Sequence, residues 1–262
     1  MLTKSSIDRA MALLSAYQPQ QLKSYYGCFS GGKDSVVIKE LARMSESYVQ
    51  WHYNVTTIDP PELVRFIKHA HPDVEFNLPN KPFFEAAVTR GFPTRRQRWC
   101  CETYKEQAAP IGETLILGVR AEESPRRAKN WKEVTAHTHT GQYAISPIVA
   151  WTTEDVWWFI KERKLEYCSL YDEGFKRLGC VGCPMSGSKG RKQQFARWPH
   201  FERAWKNLFR QIWTKRTGTT QRNGQVWFGN RYFHNWEEMY EWWLSDRGLP
   251  NEECQGLVEM YS

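Results

Sequence analysis

Two sets of residues in this 262-residue chain have the types and spacing to do chemistry. The first is the stretch YYGCFSGGKDSVVIKEL, residues 25–41. Read from Gly27 it nearly spells the phosphate-loop pattern G-x-x-x-x-G-K-[ST]. Gly27, Gly32 and Lys33 fit, but Asp34 stands where that pattern needs a hydroxyl for magnesium. Read from Ser30, the same residues spell SGGKDS. Gly31 and Gly32 let the backbone approach a phosphate, and the amides after them are placed to face anionic oxygens. Ser30 and Ser35 offer hydroxyls, Lys33 a positive charge, and Asp34 a carboxylate that can hold Mg²⁺ bridging the phosphates. These six residues are the expected phosphate-binding loop, with Lys33 and Asp34 as its catalytic pair.

The second set is four of the seven cysteines. Cys100 and Cys101 are adjacent, and Cys180 and Cys183 form C-x-x-C. Four thiolates suit zinc or an iron–sulfur cluster. Adjacent ligands are awkward on one tetrahedral zinc because their side chains start in different directions, whereas a cubane offers a different iron to each. Cys28 and Cys168 read as buried small hydrophobes. Cys254, in NEECQGLVEM, is a candidate mobile sulfur carrier or an ordinary exposed thiol.

The elements that must position these residues alternate. SYYGCF, YVQWHYNVTTID, DVEFNL and ETLILGVRAEES read as strands. VVIKELARM, PPELVRFIKHA, PFFEAAVTRG and TTEDVWWFIKERKL read as helices, after an N-terminal helix within residues 1–23. Gly91 suits a helix stop, Pro61 a helix start, and Thr152 with Asp155 a capping pair. This alternation predicts an α/β fold with a mostly parallel sheet and helices on both faces. Beyond Cys183, Phe201, Trp205, Leu208, Phe209, Ile212 and Trp213 follow helical spacing. The expected division is residues 1–185 and a basic, aromatic region, 186–262.

Hydrophobic content of 41% supports a core. The odd number of cysteines argues against a secreted disulfide framework and for a reducing cytoplasm. No apolar run of about 18 residues predicts a membrane span, and the N-terminus lacks signal-peptide character. Net charge is +7, and it is concentrated. Between Ser186 and Arg231 there are eleven Lys or Arg and a single acid, Glu202. Arg191, Lys192, Arg203, Lys206 and Arg210 are the expected phosphate contacts to nucleic acid, with Trp198 as a base-stacking candidate.

The SGGKDS loop in its strand–loop–helix setting resembles the PP-loop, or N-type, ATP pyrophosphatases. Those enzymes cleave ATP between the α and β phosphates and adenylate an oxygen that a sulfur or nitrogen nucleophile then displaces. The two cysteine pairs, 79 positions apart from Cys101 to Cys180, resemble those of cluster-bearing adenylyl-sulfate reductases of the same superfamily. So do LGVRAEESPRRA, ISPIVAWTTEDVWWFI and LYDEGFKRLGCVGCP; together the resemblance covers roughly residues 20–185. It implies a Rossmann-like, adenine-nucleotide-alpha-hydrolase-like fold and a [4Fe–4S] cluster on Cys100, Cys101, Cys180 and Cys183, with zinc as the alternative. It also implies nucleotide contact by Arg120, and a clamp on an anionic substrate or pyrophosphate by Arg126 and Arg127.

The reductases generally carry a degenerate loop and need a C-terminal E-C-G-[IL]-H motif. Here the loop is intact, and Cys254 is followed by Gln255 with no histidine. That combination resembles the ATP pyrophosphatase component of DNA phosphorothioation systems, which implies nucleic acid, DNA above all, as acceptor and a cysteine desulfurase as sulfur donor. The alternative is a sulfonucleotide reductase that releases sulfite with thioredoxin.

Overall fold

The computed structural model describes residues 2–19, 23–106, 109–136, 143–217, 221–222, 225–228 and 231–245. In chain order the elements are α1 (Lys4–Ala16), β1 (Tyr25–Cys28), α2 (Lys33–Met44), β2 (Val49–Asn54), α3 (Pro61–Ala70), β3 (Glu75–Asn77), α4 (Phe83–Arg90) and the short turn α5 (Trp99–Cys101). Then follow β4 (Leu115–Ile116), α6 (Pro125–Asn130), β5 (Val134–Ala136), β6 (Tyr143–Ile145), α7 (Thr153–Glu162), α8 (Gly187–Arg197) and α9 (Pro199–Arg216). A three-stranded antiparallel sheet, β7 (Gln221–Arg222), β8 (Gln225–Phe228) and β9 (Arg231–Phe233), precedes α10 (Trp236–Ser245).

The main sheet has the order β3-β2-β1-β4-β6-β5. Every pairing is parallel except β5 against β6. The expected Rossmann-like α/β fold is therefore present. Strand order reverses between β1 and β4, and in such sheets ligands bind outside the carboxyl ends of the strands at that point. The loop Ser30–Ser35 follows β1, and Leu117–Arg120 follows β4.

Local signals explain the element ends. Thr152 caps α7 by accepting from the Asp155 amide at 3.1 Å, and the Asp155 carboxylate accepts from the Thr152 amide at 3.0 Å. Gly91 ends α4 at φ +86°, a conformation that a side chain would strain. Val37, Ile38 and Leu41 of α2 are fully buried, each contributing about 1.5–3 kcal/mol relative to exposure.

The chain forms two compact units that do not follow the expected division at residue 185. One comprises residues 1–55, 60–78 and 104–179; the other comprises 56–59, 79–103 and 180–262. The C-terminal part of the second unit starts at Cys180, and the unit also includes residues 56–59, α4 and the Cys100–Cys101 segment. Its core is aromatic. Trp205 and Trp243 stack at 4.5 Å, and Phe92 stacks on Phe209 and Phe228 at 4.4 and 4.2 Å. Apolar periodicity on α9 marks this buried side, with Trp205, Leu208, Phe209 and Ile212 all inaccessible. No helix among the described residues is long and apolar enough to cross a membrane.

Candidate active site

The glycine loop is built by its own residues. Gly31 has φ +70°, and a Cβ there would come within 2.7 Å of Ile67 and Leu63 of α3, so the turn requires glycine. Ser35, buried at the first turn of α2, donates to Gly32 O at 2.8 Å. Ser30 Oγ accepts weakly from the Gly32 amide at 3.4 Å. Lys33 is 7% exposed.

Asp34, the expected magnesium ligand, is held by two cations. Its Oδ2 accepts from Lys33 Nζ at 2.9 Å and its Oδ1 from Arg120 Nε at 2.6 Å. Both carboxylate oxygens are engaged by cations, so Asp34 orients Lys33 and Arg120. Gly118 packs closely against it: a Cβ there would stand 3.1 Å from the Asp34 carbonyl carbon.

Arg120 differs from expectation. It is 2% exposed, and its remaining donors reach Glu122 Oε2 at 2.7 Å, Trp151 O at 3.3 Å and Thr153 Oγ1 at 3.3 Å. With its fork committed it is a strut between the loops after β1 and β4, not an open phosphate clamp. Hydrogen bonds from Thr153 and Arg120 hold Glu122 below the usual carboxylate range. Arg126 and Arg127 lie half-buried on α6, and Arg127 pairs with Glu123. Tyr171, partly buried, lies in the LYDEGFKRLGCVGCP segment but had no expected role in the site. Its phenol oxygen accepts from the Lys33 amide at 2.9 Å.

The second unit gathers all four paired cysteines. A hydrogen bond with Cys101, burial, and the proximity of Cys101, Cys180 and Cys183 push the Cys100 thiol up. Cys180 Sγ lies 3.4 Å from Thr56 Oγ1, which donates to Asp59 at 2.8 Å. Among the described residues, no three His, Cys, Asp or Glu side chains converge as ligands of a single ion do. Three groups of the C-terminal segment grip the C-x-x-C turn. Trp205 Nε1 donates to Val181 O at 3.1 Å, the Gly182 amide donates to Gln194 Oε1 at 2.8 Å, and Arg191 Nη1 donates to Pro184 O at 3.0 Å. Gly182 has φ +81°, and a Cβ on it would meet the Trp205 indole at 2.3 Å.

The Arg191 bond corrects one expectation. Arg191 is fully buried, its other bonds go to Trp243 O and Leu244 O at 2.7 and 3.1 Å, and it lies over the Trp243 ring. It offers nothing to a phosphate; it places positive charge at the C-terminal end of α10, where the helix dipole favours it. Trp198 is 2% exposed and so does not present a stacking face. Lys192, Arg203 and Arg210 are exposed, whereas Lys206 is half-buried and pairs with Glu202 at 2.8 Å. Cys254 lies outside the described residues.

A parallel sheet whose strand order reverses beside an SGGKDS turn defines a protein of the PP-loop, adenine-nucleotide-alpha-hydrolase-like class. Within it, residues 25–186 match the phosphoadenosine phosphosulfate reductase domain, and the chain belongs to that family. An uncharacterized protein of Methanocaldococcus jannaschii is 34% identical over 167 residues, spanning 60% of this chain but only 40% of that relative. An adenosine 5'-phosphosulfate reductase of Halalkalibacterium halodurans is 25% identical over 74% of this chain and 87% of its own length. The phosphoadenylyl-sulfate reductase of Candida auris, solved as a phosphate complex, shares the fold. Its TM-score is 0.51 at 17% identity, over 69% of this chain and 96% of that one.

Proposed function

We propose that this protein is an ATP pyrophosphatase that adenylates an acceptor for sulfur transfer, the acceptor being nucleic acid, DNA in the first place. The observation that carries the reading is the intact Ser30–Ser35 loop at the reversal point of the sheet, with the Lys33 ammonium held by Asp34. The triphosphate lies along the loop, near its amides and Lys33. An acceptor oxygen attacks the α-phosphorus, and pyrophosphate leaves with the bonding pair. Lys33 stabilises the charge that develops on the transferred and departing oxygens. The terminal sulfur of a persulfide on a cysteine desulfurase then attacks the adenylated phosphorus, and AMP leaves with the bonding pair. A second thiol of the donor cleaves the S–S bond, which leaves the sulfur on the acceptor and a disulfide on the donor. Asp34, held in place by Lys33 and Arg120, would hold a magnesium ion through its remaining lone pairs, and that ion would neutralise charge on the phosphates. Arg126 and Arg127 stand on the helix after β4 as the candidate clamp for the acceptor's phosphate.

Cys100, Cys101, Cys180 and Cys183 would hold a [4Fe–4S] cluster. Two adjacent cysteines suit a polynuclear group, which offers a different iron to each, better than a single tetrahedral zinc, and Cys101, Cys180 and Cys183 all lie near the Cys100 thiol. Held by four cysteines, such a cluster would supply an electrostatic or structural contribution. The thiols call for a reducing, cytoplasmic setting. The exposed Lys192, Arg203 and Arg210 support a polyanionic acceptor.

The relatives named as adenosine 5'-phosphosulfate reductases support a second reading, release of sulfite from a sulfonucleotide with thioredoxin as reductant. Anaerobically purified protein separates the two. Release of AMP and pyrophosphate from ATP, stimulated by DNA, is expected. Sulfite release from adenylyl sulfate with thioredoxin, and no ATP turnover, would establish the reductase instead.

A further inference from the structure

Tyr171 sits 138 positions after Lys33, in the turn Ser169–Tyr171, outside every phosphate-binding pattern in the sequence. Its oxygen nevertheless accepts the Lys33 amide hydrogen, the group that the start of α2 would otherwise present to an anion. The phenol stands over the loop, and a Cβ added to Gly32 would lie 3.4 Å from its oxygen. The ring is held in place. Trp157 of α7 meets it edge-on at 5.1 Å, and the Tyr171 amide donates to Cys168 O at 3.1 Å. A phenol oxygen that accepts from an amide still has its own hydrogen to give. Among the described residues no group accepts that hydrogen.

We propose that Tyr171 is a phosphate-binding residue of the nucleotide site. It takes the Lys33 amide hydrogen bond and donates its own hydrogen to a phosphate oxygen, so that the helix start acts on the nucleotide through one phenol. The inference rests on the nucleotide reading above and adds to it a donor from a distant segment. Burial pushes the Tyr171 phenol up, which keeps it protonated and a donor at neutral pH. Linked hydrogen bonds of this kind polarise one another, so the phenol is a better donor for having accepted from the amide.

Tyr171→Phe removes only the hydroxyl. Binding to wild type and variant is measured by calorimetry with adenosine and with an ATP analogue carrying a methylene between the α and β phosphorus atoms. Thermal unfolding of the free protein serves as the check on folding. The variant is expected to bind the analogue roughly 10- to 100-fold more weakly, the scale of a hydrogen bond to a charged group, with adenosine affinity unchanged. Equal losses for adenosine and the analogue would show that the hydroxyl only shapes the pocket, and overturn the proposal. Tighter analogue binding by the variant would show that the phenol plugs the loop, and would overturn it as well. Unchanged affinity would remove Tyr171 from the site while leaving the nucleotide reading intact. Wild-type protein that binds no analogue would sink the nucleotide reading, and this inference with it.

Discussion

The loop unit and the thiol unit handle charge in opposite ways. At the loop, cations and carboxylates alternate: Lys33 and Arg120 on Asp34, Arg120 on Glu122, Arg127 on Glu123. The pairs neutralise one another and fix side-chain positions, which suits a site that must be set before its ligand arrives. In the thiol unit the charges divide by burial. Arg191 is buried and spent on backbone carbonyls, while Lys192, Arg203 and Arg210 are exposed on the same helices. Basic residues of equal formal charge therefore do different things, and only the exposed ones are placed to meet a polyanion.

The largest effect is expected at the centre of the loop's charge network. Asp34→Asn keeps the shape but releases Lys33 and Arg120, and should slow pyrophosphate release from ATP by about 10²–10³-fold, the scale of losing a preorganised electrostatic contact. A folded variant with wild-type turnover, assayed by phosphate release after pyrophosphatase treatment, would remove Asp34 from the machinery.

The thiol unit should fail differently, through metal and stability. Replacing any one of Cys100, Cys101, Cys180 or Cys183 by Ser should abolish a brown visible absorption and lower the unfolding temperature, because metal binding is coupled to folding. Iron and sulfide analysis of anaerobic protein checks this; colourless protein with stoichiometric zinc would show that zinc fills the site. Gly182→Ala should cost about 2–4 kcal/mol, since it adds a side chain at φ +81° and drives it into Trp205. Gly179→Ala, with nothing within 4 Å of its would-be Cβ, should stay within about 0.5 kcal/mol of wild type. Urea unfolding of the two variants makes the comparison.

The surface contrast within the second unit has its own test. The triple variant Lys192→Glu, Arg203→Glu, Arg210→Glu should bind DNA more weakly. Its salt dependence should flatten by about 0.7–0.9 in slope for each phosphate that it no longer neutralises. Arg191→Met should instead lower stability with little change in that slope. Equal salt slopes for wild type and triple variant would return Lys192, Arg203 and Arg210 to the role of a solvated helix face.

The smallest effect lies in the loop unit, away from the loop. Burial, with Lys39 beside it, pushes the His71 imidazole down to about 4. The unfolded chain takes up a proton near the ordinary value of about 6.5, so the folded state is favoured above that pH. This stability is lost as the pH falls from about 6.5 towards 4. Urea midpoints at pH 7 and pH 5 should differ for wild type, and His71→Gln should narrow the difference.

Much of the loop was legible in the sequence because it is local. SGGKDS needs only a strand before it and a helix after it, and the glycines, Ser35 and the start of α2 build the turn within six residues. The alternation of strands and helices likewise gave the α/β class, and the spacing on α9 gave its buried side. The two cysteine pairs were visible as pairs.

Tertiary structure decided what those residues touch. Asp34 meets Arg120 across 86 positions and the Lys33 amide meets Tyr171 across 138, contacts that no local pattern encodes. The same holds for Arg191: its charge is plain in the sequence, but its burial depends on where Pro184, Trp243 and Leu244 place their carbonyls. Composition records that a charge exists. Whether it faces water, a carboxylate or a row of carbonyl oxygens is settled by packing, because an Arg side chain long enough to reach the surface is also long enough to be drawn inward when enough acceptors converge on it.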